Sequence, residues 1–444
     1  MRSHISTLPD SMLAEILKRL SLKTLLICRS VQKSWYHFLQ TPHFTNLHFT
    51  YQQINLNKYL LFKDIFENHV LSLRYDDEKC KESRVKPEIP PALSAKHEKL
   101  KLLSSFGLIC LHCDATSFPR CVKYAFFDIY LWNPIVRKLK RVPDVPGIPA
   151  RLFSSRIYWR NLAFGYVPEI NDYVVVAIIS FNDGDVSYDD DDHDDYDGLR
   201  YSNNTFSVVK REARSLFICV YRLSTNLWKK IIRKDEYPFG EIDTSFEPVV
   251  VNGTAIWRMM YGIPDLLYYD TMEDLLGIIR VPTEAYNRRW SNLIPPPMAL
   301  LGQSIVCFNK DLDFQESGLY IWTLKEGDKR RRKLKNVHSR GEMYFWEKKI
   351  CVGLEESARL DFVGSRNNGE LIFPKLYQCH LVSYNVEKGE VNDFVQFWYK
   401  WFSHGIARGK NHYGFEDRKL DIIAVPFSVH PFVESLVLLD GDSL

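Results

Sequence analysis

The sequence has no uninterrupted apolar run of about 18 residues, which argues against a membrane-spanning helix. Its opening residues, Met1-Arg2-Ser3-His4-Ile5, carry no apolar stretch, so no secretory signal is expected. Cysteine is sparse: nine residues, an odd number, scattered along the chain. In a chain without a signal these read as reduced thiols of the cytoplasm or nucleus. Charge of one sign is lacking too. A formal net charge of +3 is too small to favour a polyanion over the whole surface, so neither nucleic acid nor a membrane is an expected partner. Catalytic signatures are missing: there is no nucleophile elbow, no Walker loop and no sialidase-type Asp box. His97-Glu98 lacks the second histidine of a zincin helix. No catalytic residue, cofactor or metal is expected, and the chain reads as a non-enzyme.

What is present is aromatic. Phe, Trp and Tyr make up 14% of 444 residues and hydrophobic residues 45%, a bias that favours a β-rich body with a large core. The length suits a small module joined to a large repeat domain.

The first fifty residues differ from the rest. Met12, Leu13, Ile16, Leu17 and Leu20 recur at helical spacing behind Pro9, a residue suited to a helix start. Ser21 interrupts the pattern; Leu22, Leu25 and Leu26 resume it; Val31, Trp35, Phe38 and Leu39 form a third series that Pro42 ends. About three short helices in roughly forty residues cannot bury a stable core alone. Their apolar residues occupy more than one face, so the unit is expected to dock on the rest of the chain or on another protein.

Leu8-Pro9-Asp10, Glu15-Ile16-Leu17, Arg19-Leu20, Leu25-Leu26, Arg29, Val31, Lys33-Ser34-Trp35, Pro42 and Phe44 keep the order and spacing of a plant-type F-box, which this segment resembles from Leu8 to Phe49. Three departures stand out. Ser21 occupies a usual proline position, Ile27-Cys28 replaces a common Arg-Phe pair, and Ser30 replaces a Cys or Ala. The resemblance implies a Skp-type adaptor as partner and, through it, cullin and RING subunits. Leu8, Pro9, Ile16, Leu17, Leu20, Leu25, Leu26, Val31 and Trp35 would form or support that docking face, some from inside the motif.

Residues 50–99 read as a connecting segment, with a strand or two and then a charged, proline-broken loop. From residue 100 to 444, short strand-like runs alternate with turns. Tyr221, Tyr269, Tyr320 and Tyr384 recur at intervals of about 50 to 60 residues, and Trp132 precedes Tyr221 by a longer gap. About 340 residues at that period predict a β-propeller of six or seven blades. The region is similar to the F-box-associated, kelch-like domain of plant F-box proteins. Phe106-Gly107-Leu108, Trp132-Asn133-Pro134, Phe164-Gly165-Tyr166, Asn252-Gly253, Tyr320-Ile321-Trp322 and Phe432-Val433-Glu434-Ser435-Leu436 carry that likeness. The chain has no Gly-Gly pair, so any kelch repeats are degenerate.

The expected fold class is therefore mixed: a small all-α module at 1–49, then a large all-β domain. The resemblance implies the substrate-recognition subunit of a Skp–cullin–F-box (SCF) ubiquitin ligase, in which the β domain binds a protein substrate. A scaffold acting outside any ligase is the alternative, and adaptor binding separates the two. A carbohydrate-active propeller is a third class, predicting clustered carboxylates and activity without partners. Arg288, Arg289 and Trp290 are candidate substrate contacts; an ordinary tryptophan between blades is the plainer reading. Asp189–Asp197 lacks calcium-loop spacing and reads as a self-repelling loop. Lys329–Lys335 fits a solvated hairpin turn or an import signal. Cys110, His112, Cys113 and Cys121 fit buried strand residues better than a zinc site.

Overall fold

The computed structural model describes residues 8–55, 59–64, 71–83, 86–91, 93, 100–113, 128–145, 157–182, 214–233, 241–242, 247–260, 265–285, 287–289, 292–294, 298–301, 304–310, 319–326, 344–351, 362–374, 380–396, 427–437 and 442–443. Four helices come first: α1 (Asp10–Leu17), α2 (Leu22–Val31), α3 (Lys33–Leu39) and α4 (Pro42–Asn55). The fourth departs from the expectation of about three. Pro42 begins a helix instead of only ending one, because its missing N–H is harmless in a first turn. Ser21 is an N-cap: its Oγ accepts from the Thr24 amide at 3.3 Å, so the departure from proline supplies a capping bond of its own.

The remainder is all-β and almost wholly antiparallel. β1 (Tyr59–Asp64) pairs with β2 (Leu71–Tyr75). Unit I contains β3 (Leu100–Ser105), β4 (Leu108–Cys113), β5 (Ile129–Asn133) and β6 (Lys138–Arg141). Unit II runs β7 (Ile157–Val167), β8 (Asp172–Asn182), β9 (Arg214–Arg222), β10 (Leu227–Arg233). Unit III holds β11 (Glu241–Ile242), β12 (Val249–Val251), β13 (Thr254–Met260), β14 (Leu266–Asp270) and β15 (Leu275–Ile279). A hairpin of β16 (Asn287–Arg289) and β17 (Asn292–Ile294) follows. Unit IV is β18 (Met298–Leu301), β19 (Ser304–Lys310), β20 (Leu319–Glu326), β21 (Tyr344–Cys351). Unit V is β22 (Gly364–Ser365), β23 (Leu371–Pro374), β24 (His380–Asn385), β25 (Glu390–Gln396). The last long strand, β26 (Phe427–Phe432), pairs with β1 to make unit VI, and β27 (Asp442–Ser443) adds to β6. One parallel pair, Gly364 with Val429, joins units V and VI into a continuous sheet.

Each unit is apolar on both faces and packs on its neighbours. In β8, Tyr173, Val175, Ala177 and Ile179 pack with unit I, while Val174, Val176 and Ile178 pack with unit III, the alternation a pleated strand imposes. Leu266 and Tyr268 then meet Cys307 and Trp322 of unit IV; Phe308 meets Phe373 of unit V. Ile372 and Leu381 meet Leu60 and Val429 of unit VI, and Leu61 and Phe432 return to Ile109 and Trp132 of unit I. The interfaces thus run in a closed, propeller-like order. β1 and β2, the strands within the segment 50–99 read as a connection, pair with each other, and β1 pairs with β26.

A turn motif repeats where the next-to-last strand of a unit ends. Trp132, Tyr221, Tyr269 and Tyr384 are buried there, and five residues later Arg137, Asn226, Asp274 and Gly389 take positive φ (54°, 55°, 50° and 70°). The Tyr221 hydroxyl donates to Asn226 Oδ1 (2.9 Å) and the Tyr269 hydroxyl to Asp274 Oδ1 (2.8 Å). Asn133, Asp270 and Asn385 use their Oδ1 to accept the next turn's amides at 2.8–3.3 Å. These turns recur once in each of units I, II, III and V, and the interval visible in the sequence is the length of a unit with its connections.

Candidate functional site

The helical module fills its interior with Leu13, Ala14, Leu17, Leu22, Leu25, Leu39 and Phe44. That placement separates the predicted docking residues. Leu17 and Leu25 are interior and support the helices without meeting solvent. Leu8, Leu20, Leu26 and Trp35 are half-buried, the last three packed against the core. Pro9, Ile16 and Val31 face outward.

Two exposed residues missed by the spacing argument complete this outer set. Met12 is 56% exposed and Ile16, one turn on, 50%; Ile27 is 59% exposed and Val31, again one turn on, 68%. Positions four apart share a helix face, so α1 and α2 each bury one apolar face and present a second apolar pair to solvent. Small soluble modules seldom leave such pairs in water, and an exterior of this kind marks a contact surface. The available signal was the i, i+4 relation within each pair, but apolarity on both faces concealed which one turns inward.

Beneath the outer set, α4 ties the module together. His48 is fully buried; its Nε2 lies 3.0 Å from Gln52 Nε2 and 3.4 Å from the Leu20 carbonyl beyond α1. Burial pushes its pKa down to about 4, only partly offset by the Leu20 carbonyl. Phe49 stacks edge-on against Phe106 and Tyr166 of the β body, with centroids 6.1 and 5.0 Å away.

Within the ring, Lys63 of β1 donates to the Leu102 carbonyl (3.0 Å) and to Glu247, whose other oxygen lies 3.7 Å from His430 Nε2. Burial pushes the Glu247 carboxyl up, but Lys63 and His430 outweigh it and hold the carboxyl below its usual range. Burial holds the His430 imidazole below its own usual range despite Glu247.

Arg288 and Arg289 lie on β16 of the small hairpin, while Trp290 falls outside the described residues. Asp189–Asp197, Lys329–Lys335 and Cys121 also fall outside them. Cys110 is fully buried between units I and II, and that burial pushes its thiol pKa far up. Among the described residues, no group of three His, Cys, Asp or Glu side chains is placed to hold a metal ion, and no helix is long and apolar enough to cross a membrane.

A helical module with an apolar exterior, fixed to a large β body, has the layout of a docking protein. Residues 5–47 match the F-box domain family. The chain is 30% identical over 241 residues to an Arabidopsis thaliana protein described as F-box protein At3g16210, an alignment covering 50% of this chain and 60% of that one. It is 20% identical over 420 residues to the Arabidopsis thaliana F-box protein At1g47790, covering 91% and 90%. The first of these alignments spans less than two thirds of the relative's length. Among solved structures, TolB from Acinetobacter baumannii aligns with a TM-score of 0.35 and 11% identity over 75% of this chain and 62% of that one, too loose a likeness to carry an argument. The chain carries an F-box domain at its N-terminal end and is similar, through its β body, to plant F-box proteins.

Proposed function

We propose that this protein is the substrate-recruiting subunit of an SCF ubiquitin ligase. Its F-box docks a Skp-type adaptor through Pro9, Met12, Ile16, Ile27 and Val31, and its β body, read as a six-bladed propeller with degenerate kelch-like repeats, holds a protein substrate. The observation that carries this reading is the pair of outward apolar stripes on α1 and α2, in a module whose interior is already filled. The chemistry is proximity. The assembly holds a substrate lysine near a charged ubiquitin carrier and raises their effective concentration, so this chain supplies no catalytic group.

Phe49 seats the F-box beside Phe106 and Tyr166, where the β3–β4 and β7–β8 turns lie. The opposite ends of units I and II send out the long connections 114–128 and 183–213. We assign substrate binding to that far end, where residues 183–213, which hold the acidic run, join β8 to β9.

The test is binding of the full chain to a purified Skp-type adaptor, beside an Ile16→Asp, Val31→Asp double variant. Both positions are solvent-exposed, so the variant keeps its fold. A charge desolvated at each contact weakens binding by roughly 100-fold or more. Failure of the unaltered chain to bind any adaptor from its own source, or equal binding by the variant, overturns the assignment and favours a scaffold outside a ligase.

A further inference from the structure

The interior of the F-box is completed by a residue more than 390 positions from its last core leucine. Leu436, 1% exposed, packs in the same cluster as Leu13, Leu17, Leu25, Leu39 and Phe44. It belongs to a short segment without regular secondary structure, Val433–Val437, that leaves β26 and runs between the F-box and unit I.

Three features hold that segment. The fully buried Asn133 amide donates from Nδ2 to the Ser435 carbonyl (2.8 Å) and the Val437 carbonyl (2.9 Å). Its Oδ1 accepts from the amides of Ile135 (3.1 Å) and Val136 (3.3 Å), and both those side chains pack against the F-box core. One side chain therefore fixes the tail and the turn that together cradle the module. Gly107, at φ +85°, lets the β3–β4 turn pass so close that a Cβ there would sit 2.2 Å from the Val433 carbonyl oxygen. Ser435 is itself fully buried, and its Oγ accepts from the Val437 amide (3.1 Å).

We propose that Val433–Val437 acts as a completion key: the F-box reaches its adaptor-binding form only once the C-terminal strand has closed the β ring and delivered Leu436. The consequence for adaptor binding rests on the function proposed above; the structural dependence does not. The F-box precedes the β body in the chain, and the module lacks one core side chain and its cradle until Val433–Val437 has been made. Adaptor engagement is thereby conditional on a finished substrate-binding body, and an incomplete chain is kept out of the ligase.

Two full-chain variants test this. In Leu436→Ala, hydrogen exchange is followed in peptides from α1–α3 and from β19–β20. Loss of a buried leucine accelerates exchange in α1–α3 by roughly tenfold or more, while β19–β20 keeps its protection. Unchanged exchange in α1–α3, or an equal rise in both regions, overturns the proposal. In Leu436→Asp the buried charge displaces the module, and affinity for a purified Skp-type adaptor falls by roughly tenfold or more. Wild-type affinity there also overturns it. The Ile16→Asp, Val31→Asp variant loses adaptor binding without any change in α1–α3 exchange, which separates the docking surface from the key. If the unaltered chain binds no adaptor, the exchange experiment still decides the structural dependence.

Discussion

Lowering the pH from 7 to 5 loosens the F-box from the inside, because it places His48 under pressure to take a proton it has no room to solvate. His48 is fully buried, its Nδ1 has no hydrogen-bond partner among the described residues, and its pKa stands at about 4 against an ordinary 6.5. Above pH 6.5 folded and unfolded chains both hold it neutral. Below that, the unfolded chain binds a proton and the folded one does not, so stability is lost as the pH falls toward 4. At pH 5 the unfolded form is favoured by a factor of roughly 30 from this group, or about 2 kcal/mol. The assay is native-state hydrogen exchange of the α4 amides at pH 7 and pH 5, corrected for the intrinsic pH dependence of exchange. The opening free energy of the wild type falls by about 2 kcal/mol more than that of His48→Gln, which has no proton to bind. Equal pH dependence in the two chains would refute the argument, since Glu247 and His430 act in both.

Three further perturbations probe the β ring. Gly364→Ala puts a Cβ 1.8 Å from the Val429 carbonyl at the join of units V and VI; the forced shift costs about 2–4 kcal/mol in urea denaturation, and an unchanged midpoint counts against that close approach. Asp76 accepts from Arg366 Nε (2.7 Å) and from the Asn367 amide and Nδ2 (2.9 Å each), so Asp76→Ala costs about 3–5 kcal/mol by leaving Arg366 short of its partner. Retained stability would mean that Glu370 alone suffices for Arg366. Glu247→Gln strips the counter-charge from Lys63 and costs about 2 kcal/mol at pH 7, with the gap to wild type narrowing in acid as the wild-type carboxylate is neutralised. A gap that widens on acidification contradicts the sign given for Glu247.

Legibility followed sequence distance. The F-box helices were readable because their pattern closes within one or two turns: Leu13, Leu17, Leu22 and Leu25 are core at helical spacing. The repeat was readable because Trp132, Tyr221, Tyr269 and Tyr384 mark the end of the next-to-last strand of their units, with a positive-φ turn residue five positions on, whereas Tyr320 stands at the start of β20. The repeat's longer first interval reflects the connection between β8 and β9. Facing was not readable. Ile16 and Leu17 are neighbours of equal hydrophobicity, yet one is half-exposed and the other buried. The polar group of Lys63, Glu247 and His430 was hidden for another reason: it draws on three distant segments that only ring closure brings together. Pro42 misled because a proline that ends one helix is equally suited to open the next.

The position of the F-box follows from connectivity. α4 ends at Asn55 and β1 begins at Tyr59, so the four Cα–Cα steps between them allow the end of α4 to stray only about 14 Å from the start of β1. β1 is fixed in turn by pairing with β26 from Tyr59–Phe432 to Asp64–Phe427. Because the strands are antiparallel, the start of β1 lies beside the end of β26, the point from which Val433–Val437 departs. Any chain that closes its ring with one strand from each terminus must bring its N-terminal module and its C-terminal tail to the same end of the same seam. Leu436 in the F-box core and Asn133 on the tail's carbonyls are how this sequence uses that enforced meeting. The same geometry sets the module at one end of the sheets and holds it there by strand pairing and by the Val433–Val437 segment.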